Sequence, residues 1–315
     1  MEDYPRKIME LESRFSTEEA CRDYLASLRW PNGFVCPRCA HTTAWEKGDG
    51  LRECTKCLFK ASVTSGTIFD RSRTPLPVWF RAIWWVVTQK NGASALGLQR
   101  ILGLGSYETA WTWLHKIRHA MVTPGRADLD GEIEVDETYL GGLEEGVDGR
   151  QTFKKALVII AAQADGKRIG RIRMRRIPDA GTESLMGFIE ATIAPGSLIH
   201  TDGWSGYAGL AEKGYGHKVT IIKQSALEAH ELLPRVHLVS SLLKRWITGT
   251  HQGAISPAHL DAYLDEFTFR FNRRTSASRG KLFYRLLQNA MGVMPAPYKK
   301  IIKGIRQKPE NRRRR

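Results

Sequence analysis

"EIEVDETYLGG", residues 132–142, is the stretch from which the fold of this chain follows. Ile133 and Val135 alternate with polar residues, and a period of two is typical of a β-strand. Asp136 lies among these apolar neighbours, where a carboxylate is costly to bury without a compensating partner. Two interpretations fit: an acid on an exposed edge strand, or a ligand of a metal ion.

The segments that follow predict an α/β domain. "KALVIIAAQ" (155–163) is a continuous apolar run typical of a strand buried inside a sheet. "GRIRMRRI" (170–177) alternates like a half-exposed strand, "GTESLMGFIEATI" (181–193) has helical spacing, and "SLIHTDG" (197–203) is a short strand. Strands, a helix and a further strand in this order indicate a mixed sheet with helices.

Asp202 ends the short strand of residues 197–203. It is either a turn-forming aspartate before Gly203 or a second metal ligand. Carboxylates from neighbouring strands can bridge Mg²⁺ or Mn²⁺, which prefer oxygen ligands. Two such ions about 4 Å apart activate water or a 3′-hydroxyl for attack on a phosphodiester.

Four cysteines have the spacing of a metal site. Cys36, Cys39, Cys54 and Cys57 form two CxxC pairs separated by fourteen residues, which favours a closed tetrahedral zinc site with a structural role. Redox chemistry by one pair would leave the other unexplained. Cys21 stands alone and is predicted to be a buried structural thiol. Whether the small zinc ribbon that these four cysteines would form contacts DNA or protein stays open.

A helical region lies between the cysteines and the sheet. Residues 76–87, "LPVWFRAIWWVV", predict a buried helix. This helix is too short to span a bilayer, and Arg81 interrupts its apolar run. Two further helices separated by "GLGS", with Ser106 as N-cap of the second, suit a helix-turn-helix with Lys116 and Arg118 toward DNA. A plain helical linker domain is the alternative.

Composition favours a nucleic-acid partner. The 315 residues carry a net charge of +15 and a pI near 9.7, a field that attracts polyanions. Residues 1–15 contain no secretory signal pattern, so we expect a soluble, cytoplasmic protein without a membrane partner. The last eighteen residues hold nine bases against one acid and predict a flexible basic arm.

Four motifs carry a family resemblance: "EVDETYLGG", "TDGWSGY", "SLLKRWITGTHQG" and "YLDEFTFRFNRR". Together with the cysteines, they resemble bacterial insertion-sequence DDE-type transposases over roughly residues 15–275. The resemblance implies an N-terminal zinc ribbon, an RNase H-like catalytic domain with a mixed five-stranded sheet, two catalytic Mg²⁺ or Mn²⁺ ions, and DNA transposition by cleavage and strand transfer. It also implies assembly of protomers on double-stranded DNA, at transposon ends and target, in the nucleoid.

The resemblance also assigns catalytic positions. Asp136 matches the first aspartate and Asp202 the second. The third position usually holds glutamate or asparagine, and here it holds His237. Histidine suits Mn²⁺ better than Mg²⁺, so it is a third ligand, a proton carrier or a helix-surface residue.

Glu228 and Glu231 are rival acids, but Pro234 separates them from the helix that bears His237. Lys244 lies two turns after His237 and is either a phosphate contact or a solvated lysine. The leucines at 238, 242 and 243 are predicted to bury the sides of this helix.

The remaining residue predictions concern DNA. The predicted DNA-binding residues are Lys244, Arg245, His251, Arg270, Asn272, Arg273, Arg274, Lys116 and Arg118. Tyr139, Trp204 and Tyr207 flank the aspartates and either stack on an unpaired base or fill the core.

We expect four parts: 1–70 (helix and zinc ribbon), 71–124 (helix-turn-helix-like), 125–295 (catalytic domain) and 296–315 (basic arm). Two other functions fit the same motifs, a non-catalytic DNA-binding regulator and a metal nuclease that does not join DNA.

Overall fold

The computed structural model describes residues 2–123, 125–141, 155–221, 228–253 and 255–302. The chain divides into two compact units, Met1–Pro124 with Thr275–Ile305, and Gly125–Arg274. No helix in these described ranges is long and apolar enough to cross a lipid bilayer.

The first unit contains a three-stranded antiparallel ribbon in the order β1-β2-β3. Its strands are β1 (Ala44–Glu46), β2 (Leu51–Cys54) and β3 (Lys60–Ser62). Such short strands bury little apolar surface, and the cluster beneath them includes Phe34, Ala61 and the metal-site cysteines themselves. The ribbon therefore depends on the chemistry of its cysteines for stability.

Helices make up the rest of this unit. They are α1 (Ile8–Arg14), α2 (Glu18–Arg29), α3 (Leu76–Thr88), α4 (Ala95–Leu102), α5 (Tyr107–Ala120), α10 (Arg279–Gly292) and α11 (Tyr298–Ile301). The predicted helix pair is confirmed: α4 ends at Gly103 with a φ of 62°, and Ser106 caps α5 by accepting the N–H of Thr109 at 3.1 Å.

The compact units differ from the expected domain of residues 125–295, because helix α10 packs within the first unit. Phe283 of α10 is fully buried, with its ring 5.5 Å from that of Phe80 and 5.7 Å from that of Trp84 in α3. Thr275–Ile305 therefore belongs to the first unit. The division into four parts stays a proposal, and most of the expected basic arm, from residue 303, lies outside the described residues.

The second unit is built on a mixed five-stranded sheet in the order β6-β5-β4-β7-β8. Its strands are β4 (Glu132–Leu140), β5 (Ala156–Asp165), β6 (Arg168–Ile177), β7 (Leu198–Thr201) and β8 (Gly216–Val219). The pairs β4–β5 and β5–β6 are antiparallel, whereas β4–β7 and β7–β8 are parallel. The "EIEVDETYL" strand is thus the centre of the sheet.

Helices cover both faces of this sheet. They are α6 (Thr182–Ile189), α7 (Ala229–Leu232), α8 (Pro234–His251) and α9 (Leu260–Phe271), with a 3₁₀ segment at Ser205–Lys213. Ile133 and Val135 of β4 face α6 in one core cluster, whereas α8 and α9 join the cluster on the opposite face. The predicted alternation of β4 therefore places its even-numbered residues under α8.

One expectation about α8 is wrong. Leu238 is 50% exposed, while Leu243 is fully buried and Leu242 packs partly against the core. The helix contacts the sheet through the stripe of Val236, Val239 and Leu243, and position 238 points away from that stripe.

Candidate active site

The ribbon cysteines form a compact thiolate cluster. The Sγ atoms of Cys36 and Cys57 lie 3.6 Å apart, as do those of Cys39 and Cys54. Tetrahedral zinc with Zn–S bonds of about 2.3 Å requires sulfur separations of about 3.8 Å, so the four thiols fit a structural zinc ion. Within the described part of the chain, no other group of three or more His, Cys, Asp or Glu has ligand atoms within 4.8 Å of one another.

The cluster thiols differ from Cys21 in having one another as neighbours. Burial raises the pKa of Cys54, but the backbone amides of Cys57 and Lys56 lower it to about 7. The backbone of His41 lowers the pKa of Cys39, but the thiol of Cys57 and burial raise it to about 12, so the cluster divides its protons unequally. Burial raises the pKa of Cys21 to about 12, and its thiol lies 3.7 Å from the carbonyl of Phe15. Cys21 is the buried structural thiol that its isolation predicts.

The two aspartates lie on, or directly after, adjacent strands. In the parallel pair β4–β7, Glu134 is opposite His200. Asp136 lies two residues beyond Glu134 within β4, and Asp202 directly follows Thr201, the last residue of β7. Both carboxylates contribute to raising the pKa of the Tyr207 hydroxyl. Because β4 is central, the edge-strand interpretation of Asp136 does not hold.

Helix α8 brings a histidine to Asp136. Nε2 of His237 lies 3.8 Å from Oδ2 of Asp136, longer than a hydrogen bond, with both side chains partly exposed. The rival Glu231 lies in α7, before the break at Pro234, and its carboxylate accepts the N–H of Glu228 at 2.9 Å. The structure therefore groups His237, rather than these acids, with Asp136.

Glu137 is a further carboxylate of β4, to which the sequence motifs assign no role. Glu137 lies on the apolar face of β4, and its Oε1 accepts a hydrogen bond of 2.8 Å from the hydroxyl of Tyr207, a fully buried residue. Burial, Glu137, Asp136 and Asp202 all raise the pKa of Tyr207 well above its usual value, so the hydroxyl remains a donor. An acid that interrupts the apolar alternation of β4 was the available signal.

The flanking aromatics have different environments. Tyr207 belongs to the core cluster, and Tyr139 packs against it. Trp204 is 39% exposed, and its indole N–H donates to the carbonyl of Ala180 at 2.8 Å. Its backbone N–H donates to Oδ1 of Asp202 at 3.0 Å, which fixes the turn that follows β7.

Two families match the two parts of the chain that carry these sites. Residues 128–272 match the ISXO2-like transposase domain, and residues 16–58 match the transposase zinc-ribbon domain. This chain belongs to the DDE-type transposases with an N-terminal zinc ribbon. A relative from Halobacterium salinarum, described as an uncharacterized protein in transposable element ISH50, is 26% identical over 81% of this chain and 91% of its own length.

The family gives the geometry its context. The mixed five-stranded sheet with helices on both faces is consistent with the RNase H-like fold of DDE transposases. The matched domain of residues 128–272 contains Asp136, Asp202 and His237. A transposase acts on DNA, so DNA is the partner that these domains imply.

Two of the predicted DNA-binding residues of the transposase are exposed on α8. Lys244 follows His237 by two helical turns, and Arg245 is its neighbour. Ser240, one turn before Lys244, donates to the hydroxyl of Thr138 in β4 at 3.0 Å. The helix therefore lies along β4 from its first turns and leads from Asp136 toward a basic surface.

The predicted cluster at residues 270–274 makes contacts within the transposase. Arg270 forms an ion pair of 2.7 Å with the buried Glu266. The guanidinium groups of Arg273 and Arg274 stack over Phe269 and Phe271 at 4.1 and 4.0 Å. Arg274 is also exposed.

Asn272 has a comparable internal role. Its Oδ1 accepts the backbone N–H of Ile172 at 2.7 Å, and its Nδ2 donates to the carbonyl of Ile172 at 3.1 Å. Because β6 is an edge strand, these bonds satisfy backbone groups that no neighbouring strand reaches.

Of the other predicted contacts, Arg118 is buried, and Lys116 and His251 are half-buried. The ring of His251 lies 4.7 Å from those of both Trp246 and Tyr263. Arg118 is 2% exposed and donates to the carbonyl of Ala93 at 3.5 Å. Burial lowers the pKa of Lys116. These environments favour structural roles, and DNA contact by these residues stays a prediction.

Proposed function

We propose that this transposase binds the ends of a mobile DNA element, hydrolyses a phosphodiester there in a metal-dependent reaction, and joins the freed 3′-hydroxyl to target DNA. One observation carries the proposal. Asp136 lies in β4, Asp202 directly follows the parallel neighbour β7, and Nε2 of His237 lies 3.8 Å from Oδ2 of Asp136.

The donor set suits divalent cations. The two carboxylates offer the oxygen ligands that Mg²⁺ and Mn²⁺ take, and the imidazole nitrogen favours Mn²⁺. When bound between these residues, two such ions would polarise the phosphodiester and lower the pKa of the attacking water. His237 serves as third ligand or as proton carrier near neutral pH.

Besides the metal ions, the chemistry needs only groups of the protein, DNA and water. In cleavage, the oxygen of water bonds to phosphorus while the bond from phosphorus to the 3′-oxygen breaks. The proton of the water passes to His237 or solvent, and the 3′-oxygen gains a proton. In joining, the freed 3′-hydroxyl bonds to a phosphorus of the target DNA while the bond from that phosphorus to the target 3′-oxygen breaks, and the proton of the attacking hydroxyl is replaced by one gained at the target 3′-oxygen. Lys244 is suited to contact a phosphate near this site as a point charge.

DNA recognition is assigned to the basic surfaces of the chain. The net charge of +15 supports phosphate contacts of low sequence specificity. We infer that the ribbon and the α4–α5 pair contact the ends of the element, and that two or more protomers assemble on paired ends. The three-stranded ribbon and the α4–α5 helix pair support this assignment.

The proposal is tested with labelled duplexes cut from the DNA that flanks this gene, incubated with Mn²⁺. Wild-type protein should bind, nick and join them, whereas Asp136→Asn should bind but not cut. Asp165→Asn, at the end of β5, is the matched control and should retain all three activities. Binding without nicking by the wild type would indicate a regulator, and nicks that never yield joined product would indicate a nuclease.

A further inference from the structure

Glu134 is a buried carboxylate of β4, two residues before Asp136 and only 1% exposed. A buried carboxylate persists only where several donors satisfy it. Its Oε2 accepts the backbone N–H groups of Arg235 at 2.7 Å and Val236 at 2.9 Å. Its Oε1 accepts from the guanidinium of Arg235 at 2.7 Å. Every one of these donors belongs to the first turn of α8.

This carboxylate takes the place of an N-cap. The first backbone N–H groups of a helix have no partner within the helix. Leu233, at the N-cap position of α8, provides no side-chain acceptor, and Pro234 has no N–H. A carboxylate from strand β4 of the sheet therefore caps the helix.

Two sets of hydrogen bonds, here called ties, connect α8 to β4: the first is the cap by Glu134, and the second lies farther along the strand. The hydroxyl of Ser240 donates to that of Thr138 at 3.0 Å. Residues 134, 136 and 138 share one face of β4, so Asp136 lies between the two ties. His237 lies between them on α8, with its Nε2 3.8 Å from Oδ2 of Asp136.

We propose that Glu134 is a positioning residue of the transposase. By capping α8, it sets where the first turn of the helix lies over β4 and so holds the imidazole of His237 at the metal-binding carboxylates. Arg235 supports this role by neutralising Glu134 and by donating to the carbonyl of Gly166 at 2.9 Å. The inference rests on the proposed function, since it assumes that Asp136 and His237 act on one site.

Direct Mn²⁺ binding tests the inference without any DNA. The free Mn²⁺ signal in electron paramagnetic resonance is titrated with the full-length protein and with Glu134→Gln. The amide keeps the size of the side chain but not its charge or its paired acceptor oxygens. We expect Mn²⁺ affinity to fall by about 10- to 100-fold, the usual effect of losing a group that orients a metal ligand. Cleavage should fall with it, while DNA affinity stays within about twofold of wild type.

Two matched variants separate positioning from general loss of stability. Glu266→Gln removes another buried glutamate that is 1% exposed and ion-paired, within α9. It should leave Mn²⁺ affinity unchanged. Arg235→Lys keeps the backbone cap and a cation, and it should bind Mn²⁺ more tightly than Glu134→Gln. Equal losses in Glu134→Gln and in either of these variants would overturn the inference.

Thr138→Val keeps the test valid if Glu134→Gln does not fold. It breaks only the second tie, and we expect weaker Mn²⁺ binding in the same direction. Unchanged Mn²⁺ affinity in a folded Glu134→Gln, or in Thr138→Val when the first variant is unfolded, would contradict the positioning role. Such a result beside normal wild-type cleavage would leave the proposed function intact, whereas a wild type that never cuts DNA would remove the function itself.

Discussion

Asp136 is a carboxylate at the centre of a sheet, and its immediate neighbours define its chemistry. The alternation in "EIEVDETYLGG" predicts its strand, and the structure adds a second acid, Asp202, directly after the parallel neighbour β7 and an imidazole nitrogen at 3.8 Å. Tyr207 lies behind both aspartates and donates to Glu137. At the scale of single residues, this hydrogen bond links β4 to the segment that follows Asp202.

Tyr207→Phe should lower both the stability of the protein and its cleavage activity, whereas the control variant should lower stability alone. The change leaves the Glu137 carboxylate without its buried donor, so we expect a loss of about 1–3 kcal/mol in the free energy of unfolding. Cleavage of labelled duplex should also fall. Tyr215→Phe is the control, because that buried hydroxyl donates to the carbonyl of Ile193 at 3.1 Å, away from the aspartates. Urea unfolding and cleavage rates measure both effects, and equal cleavage by the two variants would count against a role for Tyr207 in the site.

Residue positions were predictable where a motif fixes them. Asp136, Asp202 and His237 are assigned by ordered motifs, and the structure places Nε2 of His237 3.8 Å from Oδ2 of Asp136. The pair of Glu137 and Tyr207 lies seventy positions apart, and no local pattern joins them. Leu238 was predicted to be buried because it is apolar, but only the contacts of α8 with the sheet determine which leucines face the core.

Strand β6 shows how one side chain can complete a structural element. Its outer edge has no neighbouring strand, and Asn272 satisfies both backbone groups of Ile172. The cluster of residues 270–274, which the sequence predicts to contact DNA, thus also provides hydrogen bonds to the backbone at the edge of the sheet. Local periodicity predicted β6, but Ile172 and Asn272 lie a hundred residues apart, so their contact depends on the tertiary fold.

Asn272→Ala should therefore act on stability. Two backbone groups of β6 lose their partners, so we expect unfolding to become easier by about 1–3 kcal/mol and aggregation through the open edge to increase. Non-specific DNA affinity should stay unchanged. Arg245→Ala, on exposed α8, should show the reverse, with weaker DNA binding at full stability. Urea unfolding and filter binding on both variants check this, and a pure DNA-binding defect in Asn272→Ala would contradict the structural role.

At the scale of the whole molecule, the four clustered cysteines and the proposed catalytic residues belong to different compact units. The CxxC spacing predicts the zinc ribbon because two-residue knuckles need no distant partner to form. The grouping of Thr275–Ile305 with the first unit was not predictable in this way. Phe283 meets Phe80 and Trp84 across some two hundred residues of sequence, and linear order places α10 beside the catalytic motifs instead.

Loss of zinc should therefore affect the ribbon selectively. Cys54→Ser removes one thiolate, and we expect the protein to lose its single structural zinc ion and become sensitive to protease within residues 36–57. Fragments that contain residues 125–274 should remain resistant. Cys21→Ser should keep its zinc, because that thiol lies outside the cluster. Zinc content by mass spectrometry and limited proteolysis measure the outcome, and full zinc content in Cys54→Ser would contradict the four-thiolate site.

The central claim is that Asp136, Asp202 and His237 form one metal site that cuts and joins DNA. A strand-transfer assay on wild type, His237→Ala and His237→Glu, each in Mg²⁺ and in Mn²⁺, tests it most directly. We predict that alanine lowers joining by at least about tenfold. Glutamate should restore joining and shift the preference toward Mg²⁺, which takes oxygen ligands. Alanine that matches wild type in both metals would contradict the account.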